Sequence, residues 1–163
     1  MSDRLRRGHA ILLALLAPLL LAQPAAAQAA GKDLAEISAY TLTMPKYKQY
    51  IAATQNLTDA AAANPESTVE GPAGSIDDIV TKISAIPPAK NAITSAGLTV
   101  RDFLVMQGAL MQTGMAYAMM KEYDISKDSV VKKAKVNPAN LDFYANNEAE
   151  IKRLAEEAGA TGE

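Results

Sequence analysis

The stretch LTVRDFLVMQGALMQTGMAYAMM, residues 98–120, decides the fold of this 163-residue chain. Thr99 is placed to cap the N-terminus of a helix, and the acidic Asp102 stands at the third helical position, as a variant of the capping box. From Phe103 to Met120 no residue is charged. Because a helix that is apolar on nearly all sides must be surrounded, we expect a central buried helix over about residues 99–122.

The uncharged run of this helix leaves two alternatives to burial in a core. Eighteen residues separate Asp102 from Lys121, which reaches the lower limit for spanning a bilayer. Gln107 and Gln112 weaken the case for a membrane-embedded helix, and an interface helix of an oligomer is the second alternative. The neighbouring segments supply apolar faces that need a partner, so the pattern favours the buried helix.

Helical spacing of apolar residues continues on both sides of the central helix. One apolar face recurs from Tyr47 to Leu57, a second from Ile76 to Ile86 and a third from Leu141 to Ala158. The one ambiguous strand signal is the stretch Ile37–Thr43, and residues 65–74, with two prolines and two glycines, predict an exposed loop. We predict an all-α fold, a compact bundle of about five helices around the central apolar helix.

Capping residues and prolines define where these helices begin and end. The glycines and acidic residues at 159–163 and the alanine-rich start at 28–33 are expected to be frayed. The residues that mark helix ends are Thr43 with Pro45, Asn64-Pro65, Ser75, Pro87-Pro88, Gly97 and Asn137-Pro138.

Residues 1–29 have the layout of a secretory signal peptide. Three arginines precede an uncharged apolar run of 13 residues from Ala10 to Ala22, and small residues then offer cleavage after Ala27 or Ala29. The run is shorter than the roughly 20 residues of a membrane-spanning helix. We therefore expect a single helical domain over residues 30–163, periplasmic or secreted, with no stable membrane anchor after cleavage.

The charge of the chain argues against a nucleic-acid partner. Removal of the leader takes three basic residues and one acidic residue from the 16 basic and 18 acidic side chains, which leaves a net charge of −4. Non-specific nucleic-acid binding depends on clustered lysine and arginine. The densest basic cluster, with no aromatic residue within it, is predicted to be a solvated helix face: Lys127, Lys132, Lys133 and Lys135.

Few catalytic residue types remain in the predicted mature chain. The sequence has no cysteine and no tryptophan, and its one histidine, His9, lies in the predicted leader. Thiol and imidazole nucleophiles, Cys/His zinc sites and covalent haem attachment are therefore excluded. The carboxylate pairs Asp77-Asp78 and Glu156-Glu157 are sequence neighbours, which point to different sides of a helix. We expect no catalytic residues and a protein that is not an enzyme.

A row of methionines on the central helix is the best candidate for metal chemistry. Met111, Met115 and Met119 are spaced four residues apart, and thioethers are ligands that Cu(I) accepts. Axial methionine ligation of a non-covalent haem is a further alternative. Methionine is also an ordinary core residue, and these three lie in the most apolar helix, so we predict that they pack in the core and that no metal or cofactor is bound.

Two segments carry a resemblance to known proteins. AGLTVRDF, residues 96–103, opens the long uncharged helix, and NPANLDFYANNEAEI, residues 137–151, follows it. This pattern is similar to a group of uncharacterised exported bacterial proteins over roughly residues 76–154. The resemblance implies export and a recurring domain, and it carries no functional residue.

By exclusion, and from the apolar central helix, we predict a non-enzymatic extracytoplasmic helical domain. It is expected to bind a protein partner or an apolar small molecule through the surface around that helix. A methionine-based copper or non-covalent haem carrier is the alternative. The sequence leaves the identity of the partner and the oligomeric state open.

Overall fold

A computed structural model describes residues 23–64 and 74–159 of the chain. Within these two ranges the chain forms seven α-helices and no β-strand. The predicted all-α bundle is confirmed, although the described residues contain seven helices where about five are predicted. The helices are α1 (Gln23–Ala39), α2 (Met44–Ala63), α3 (Ile76–Ser84), α4 (Pro87–Ser95), α5 (Val100–Tyr123), α6 (Lys127–Ala134) and α7 (Pro138–Glu157).

The first helix, α1, corrects one prediction and resolves one ambiguity. The alanine-rich start at 28–33, expected to be frayed, lies within α1, and the ambiguous stretch Ile37–Thr43 forms the end of α1 and a short connection instead of a strand. The expectation of a frayed start missed a tertiary contact, in which the Ile76 backbone N–H donates a hydrogen bond to Asp33 at 2.9 Å. Such contacts stabilise a helix more than its own propensity does.

The predicted helix boundaries around α3, α4 and α5 are correct. Ser75 and Asp78 form a reciprocal capping box at the start of α3. The Thr99 hydroxyl oxygen accepts a hydrogen bond from the Asp102 backbone N–H at 3.0 Å, which caps α5. Gly97 follows α4 with a φ of +87°, a left-handed conformation that glycine adopts without a steric cost.

Proline stands in the first turn of both α2 and α7. The Asn137 side chain caps α7 by accepting a hydrogen bond from the Ala139 backbone N–H. Thr43 makes no capping hydrogen bond at α2, so the predicted start is right and the predicted cap is wrong. Pro45 fixes the backbone there in the helical range of φ, which starts the helix without a side-chain cap.

The core lies between α5 and the helices packed on it. The main cluster contains buried residues of α2, α3, α4, α5 and α7, with Ile93 and Met106 at its centre, both 0% exposed. A second, smaller cluster joins the C-terminal half of α5 to α6 and α7 through Ala116, Val130 and Leu141. The predicted central position of the helix over residues 99–122 is therefore correct.

Several predictions fall wholly or partly on residues outside the described ranges. These residues are 1–22 of the predicted signal peptide, 65–73 of the predicted loop and 160–163 of the tail. Residues 23–29 begin α1, so both predicted cleavage sites fall within this helix. None of the helices in the described part of the chain is long and apolar enough to cross a bilayer.

Candidate functional site

A row of exposed side chains runs along the outer side of α5. Met111, Met115 and Met119 are 66%, 64% and 46% exposed, and Tyr123, one further step of four residues along, is 65% exposed. Residues four apart are neighbours on a helix and are offset by about 40°, so these side chains form a continuous row about 18 Å long that winds part of the way around α5. We call Met111, Met115, Met119 and Tyr123 the methionine face.

The prediction that these three methionines pack in the core is wrong. Met106 is the one fully buried methionine of α5, with 0% of its surface exposed. The sequence pattern did not identify the buried side, because α5 is apolar all round and has no polar face that would point to solvent. The residues that α5 does bury are Val100, Phe103, Val105, Met106, Ala109, Leu110, Thr113 and Ala116.

Helix α1 packs on α5 before the methionine face begins. Ile37 lies against Gly108, where a Cβ atom would come within 2.7 Å of the Ile37 Cδ1 atom. Arg101 binds α1 through both oxygens of the Glu36 carboxylate, at 2.8 and 2.6 Å. The first methionine of the face, Met111, follows Gly108 by three residues and lies beyond this contact.

Helices α6 and α7 support the two flanks of the methionine face. On one flank the Gln112 side-chain amide donates a hydrogen bond to the Ala134 carbonyl at the end of α6, at 3.0 Å. On the other flank α7 approaches the row at Gly114, where a Cβ atom would come within 3.2 Å of the Tyr144 hydroxyl oxygen. The face is therefore a strip between two supporting helices.

The α6 flank of the face carries unbalanced positive charge. Lys133 and Lys135 adjoin Ala134, whose carbonyl binds Gln112, so their backbones lie beside the face. Lys132, Lys133 and Lys135 are exposed, and none forms an ion pair with the described residues. Three of the four lysines of the predicted solvated cluster are thus placed next to the row of methionines.

The charges on the α7 flank are neutralised within the fold. Glu148 accepts hydrogen bonds from Lys121 Nζ at 2.8 Å and from the Tyr117 hydroxyl at 2.9 Å. The Lys121 ammonium lowers the pKa of Glu148, and the Glu148 carboxylate raises the pKa of Tyr117. The fourth lysine of the predicted cluster, Lys127, pairs with Asp142 of α7. This flank is balanced in charge, whereas the α6 flank is positive.

The methionine face offers thioethers in a row. Residues four apart on a helix rise by about 6 Å, and residues eight apart by about 12 Å. Two neighbouring thioethers are therefore within reach of one Cu(I) ion, while Met111 and Met119 are poorly placed to share it. Within residues 23–64 and 74–159, no group of three or more His, Cys, Asp or Glu side chains is placed to hold a metal ion.

The carboxylate pairs of the sequence do not converge on a common point. Asp77 binds Arg101, which lowers the pKa of Asp77, while Asp78 belongs to the capping box of α3. Glu156 and Glu157 pair with two different cations of α7. Each of these four carboxylates has its own structural contact.

Sequence reasoning missed two parts of this site. Tyr123 continues the spacing of four beyond Met119, so its place in the row was readable from the sequence. The positive flank depends on the hydrogen bond between Gln112 and Ala134, which are 22 residues apart. No local pattern indicates such a contact, because it is set by how α6 folds back on α5.

The fold defines an all-α helical bundle with an exposed apolar strip on its central helix. Comparison of the chain with protein-family models, with curated proteins and with solved structures finds no match. The resemblance over residues 76–154 to a group of exported proteins stays a prediction.

Proposed function

We propose that this protein is an interaction module that binds an amphipathic helix of another protein on the methionine face. The observation that carries the proposal is the exposure of Met111, Met115 and Met119 in one uncharged row of the central helix. A contiguous exposed apolar surface is typical of an interaction site, whereas single exposed apolar residues are common anywhere. Methionine suits such a surface, because its flexible, polarizable side chain adapts to the shape of a partner.

The shape of the methionine face favours a helix over a small molecule as the occupant. Small-molecule sites are concave and enclose most of their ligand. The row lies on the convex side of one helix, and side chains four residues apart form a ridge that packs into the groove of a second helix. The apolar side of a partner helix would cover the row along its length of about 18 Å.

The flanking charges favour a partner with an acidic edge. Lys132, Lys133 and Lys135 are exposed on the α6 flank and form no ion pair with the described residues. Complementary charges at the edge of an interface raise the association rate and fix the orientation of the partner. A flat anionic membrane is less favoured, because it would also face Glu122 and Asp124, which are exposed at the Tyr123 end of the row. A partner helix can instead place its acidic edge along the α6 flank alone.

The proposed setting of this module is outside the cytoplasm. Residues 1–29 carry the signal-peptide pattern described above. Cleavage after Ala27 or Ala29 would leave the polar contacts of α1 in place, because these are made by Lys32, Asp33 and Glu36. The proposed module is not an enzyme, and binding alone is the function that we assign to it.

A pair of synthetic peptides tests the proposal on the mature chain. Both are amphipathic helices of about 18 residues, about 27 Å long, with the same leucine face. One has glutamates along its edges and the other has lysines. Fluorescence anisotropy should give a Kd for the glutamate peptide at least about tenfold lower than for the lysine peptide, a difference of about 1.4 kcal/mol. Added salt should reduce the difference.

Three results would contradict the proposal, and each points to a different occupant. Equal and weak binding of both peptides would mean that the row is not a helix-docking surface. Tighter binding to anionic phospholipid vesicles than to the glutamate peptide would favour a membrane surface. A stable dimer in sedimentation, with no peptide binding, would favour a second copy of the chain.

Copper binding is a second candidate function, and the exposure of the three thioethers favours it over the predicted core packing. A Cu(I) titration read by thermal melting separates it from docking. A carrier should show a rise in Tm with Cu(I) that disappears in the variant Met111→Leu/Met115→Leu/Met119→Leu, because a ligand stabilises only the state that binds it. The docking proposal expects that Cu(I) leaves the Tm of the wild type and the Tm of the variant unchanged.

A further inference from the structure

We propose that the methionine face is also a site of oxidation, at which a hydroperoxide converts Met111, Met115 and Met119 to sulfoxides and thereby releases the bound partner. This inference rests on the docking function proposed above. It adds a chemical switch to the same surface, and the reagent is a small oxidant such as hydrogen peroxide.

The chemistry needs only the thioether and the peroxide. A sulfur lone pair attacks one peroxide oxygen, the O–O bond breaks and an S–O bond forms. The proton on the transferred oxygen passes to the displaced hydroxide, which leaves as water. The sulfur is oxidised by two electrons and the peroxide is reduced by the same two. The product is a polar sulfoxide in place of an apolar thioether.

Exposure decides which methionines of α5 react. Met111 and Met115 are 66% and 64% exposed, so their sulfurs lie on a surface that an oxidant reaches. Met106, on the same helix, is 0% exposed, and its Sδ accepts a hydrogen bond from the Tyr40 hydroxyl at 3.5 Å. Met106 is therefore an internal control, since it has the same chemistry and the same helix but no access to solvent.

Oxidation of this row should change binding without unfolding the domain. The reacting side chains lie outside the two core clusters, so a sulfoxide there displaces no core contact. It does place polar groups where a partner helix would bury them, and burying a polar group without a hydrogen bond is costly. A bound partner should therefore slow the oxidation of the sulfurs that it covers, and oxidation should weaken the binding of the partner.

Peroxide treatment of the mature chain, followed by peptide mapping with mass spectrometry, tests the site. We expect Met111 and Met115 to oxidise at least tenfold faster than Met106, with Met119, at 46% exposed, also faster than Met106. The Tm of the oxidised protein should stay close to that of the untreated protein. Equal rates at Met106 and Met111 would overturn the inference.

The switch itself is tested with the glutamate-edged peptide. Oxidation should weaken its binding to the wild type at least tenfold and leave its binding to Met111→Leu/Met115→Leu/Met119→Leu unchanged, because leucine has no thioether. Selective oxidation with unchanged peptide binding would overturn the switch while leaving the docking function intact. Absence of peptide binding before any peroxide is added would instead reject the docking function, and the switch with it.

Discussion

Ile37 of α1 lies against Gly108 of α5, so closely that a Cβ atom at position 108 would come within 2.7 Å of the Ile37 Cδ1 atom. The missing side chain of Gly108 allows the two helices to approach. Because α1 makes this contact before Met111, the second half of α5 keeps its outer side exposed. The position of the methionine face thus depends on where α1 docks.

Replacement of Gly108 by Ala tests this contact. We expect an overpacking cost of about 1–3 kcal/mol, offset by about 1 kcal/mol of helix propensity, so that the free energy of unfolding falls by about 1 kcal/mol. Urea denaturation measures the change. Gly31→Ala in α1 is the matched control, because nothing lies within 4 Å of a Cβ atom there, and it should not destabilise the domain. A Gly108→Ala variant more stable than the wild type would contradict the close approach.

Thr113 is 0% exposed, and its hydroxyl has no hydrogen-bond partner among the described residues. Thr113→Val replaces the hydroxyl by a methyl group of similar shape and removes an unsatisfied polar group from the core. The free energy of unfolding should therefore rise by about 1 kcal/mol. Thr54→Val is the control, because the Thr54 hydroxyl donates a hydrogen bond to the Tyr50 carbonyl at 3.0 Å. Loss of this hydrogen bond should not raise the free energy of unfolding. A loss of stability in Thr113→Val would mean that the hydroxyl is satisfied.

The contact between Arg101 and Glu36 makes stability depend on pH. The Arg101 hydrogen bond lowers the pKa of Glu36 from its ordinary 4.5. A carboxylate with a lowered pKa contributes stability above its unfolded pKa and loses it as the pH falls through the folded pKa. Glu36→Gln should thus lower the Tm at neutral pH, and its Tm should converge with that of the wild type well below pH 4.5.

Thermal melting between neutral and acidic pH measures this convergence. Glu122→Gln is the control, since Glu122 is exposed and forms no ion pair within the described part of the chain. Its Tm should follow the wild type at every pH. A difference in Tm between Glu36→Gln and the wild type that stays the same at every pH would show that the ionised Glu36 carboxylate is not stabilised by Arg101.

Export is tested by the N-terminus of the protein made from its full-length gene in a bacterial host. Small residues precede the cut only near Ala27 and Ala29, so sequencing should find Gln28 or Ala30 at the start of the mature chain. An intact Met1 on the folded protein would contradict export and favour a retained leader.

The sequence predicts the helices of this fold well, because their signals are local. Ser75 and Thr99 cap helices as expected, and Gly97 adopts the predicted left-handed conformation. The exception is α1, whose sequence is rich in alanine and has no strong apolar periodicity. Its place is set by contacts of Asp33 and Glu36 with residues more than 40 positions away, which no local pattern indicates.

The spacing of the methionines predicts the position of the candidate site, but it does not predict whether these side chains are buried. The interval of four residues between Met111, Met115 and Met119 is visible in the sequence, yet it fits a buried ridge and an exposed ridge equally. Burial depends on which sides of α5 receive neighbours. Because α5 is apolar all round, only the docking of α1, α6 and α7 decides that Met106 is inside and Met111 is outside.

The central claim is that the three methionines bind a partner helix through their apolar surface. Two triple variants of the mature chain test it, one with Leu and one with Gln at positions 111, 115 and 119. Leu, Met and Gln have similar helix propensities, so both variants should keep the Tm of the wild type.

The deciding measurement is the Kd of the glutamate-edged peptide for the wild type and these two variants. The Leu variant should bind within about threefold of the wild type, because its face stays apolar, and the Gln variant should bind at least about tenfold more weakly, a loss of about 1.4 kcal/mol or more. Equal affinity of the Gln variant and the wild type, with both folded, would contradict the account.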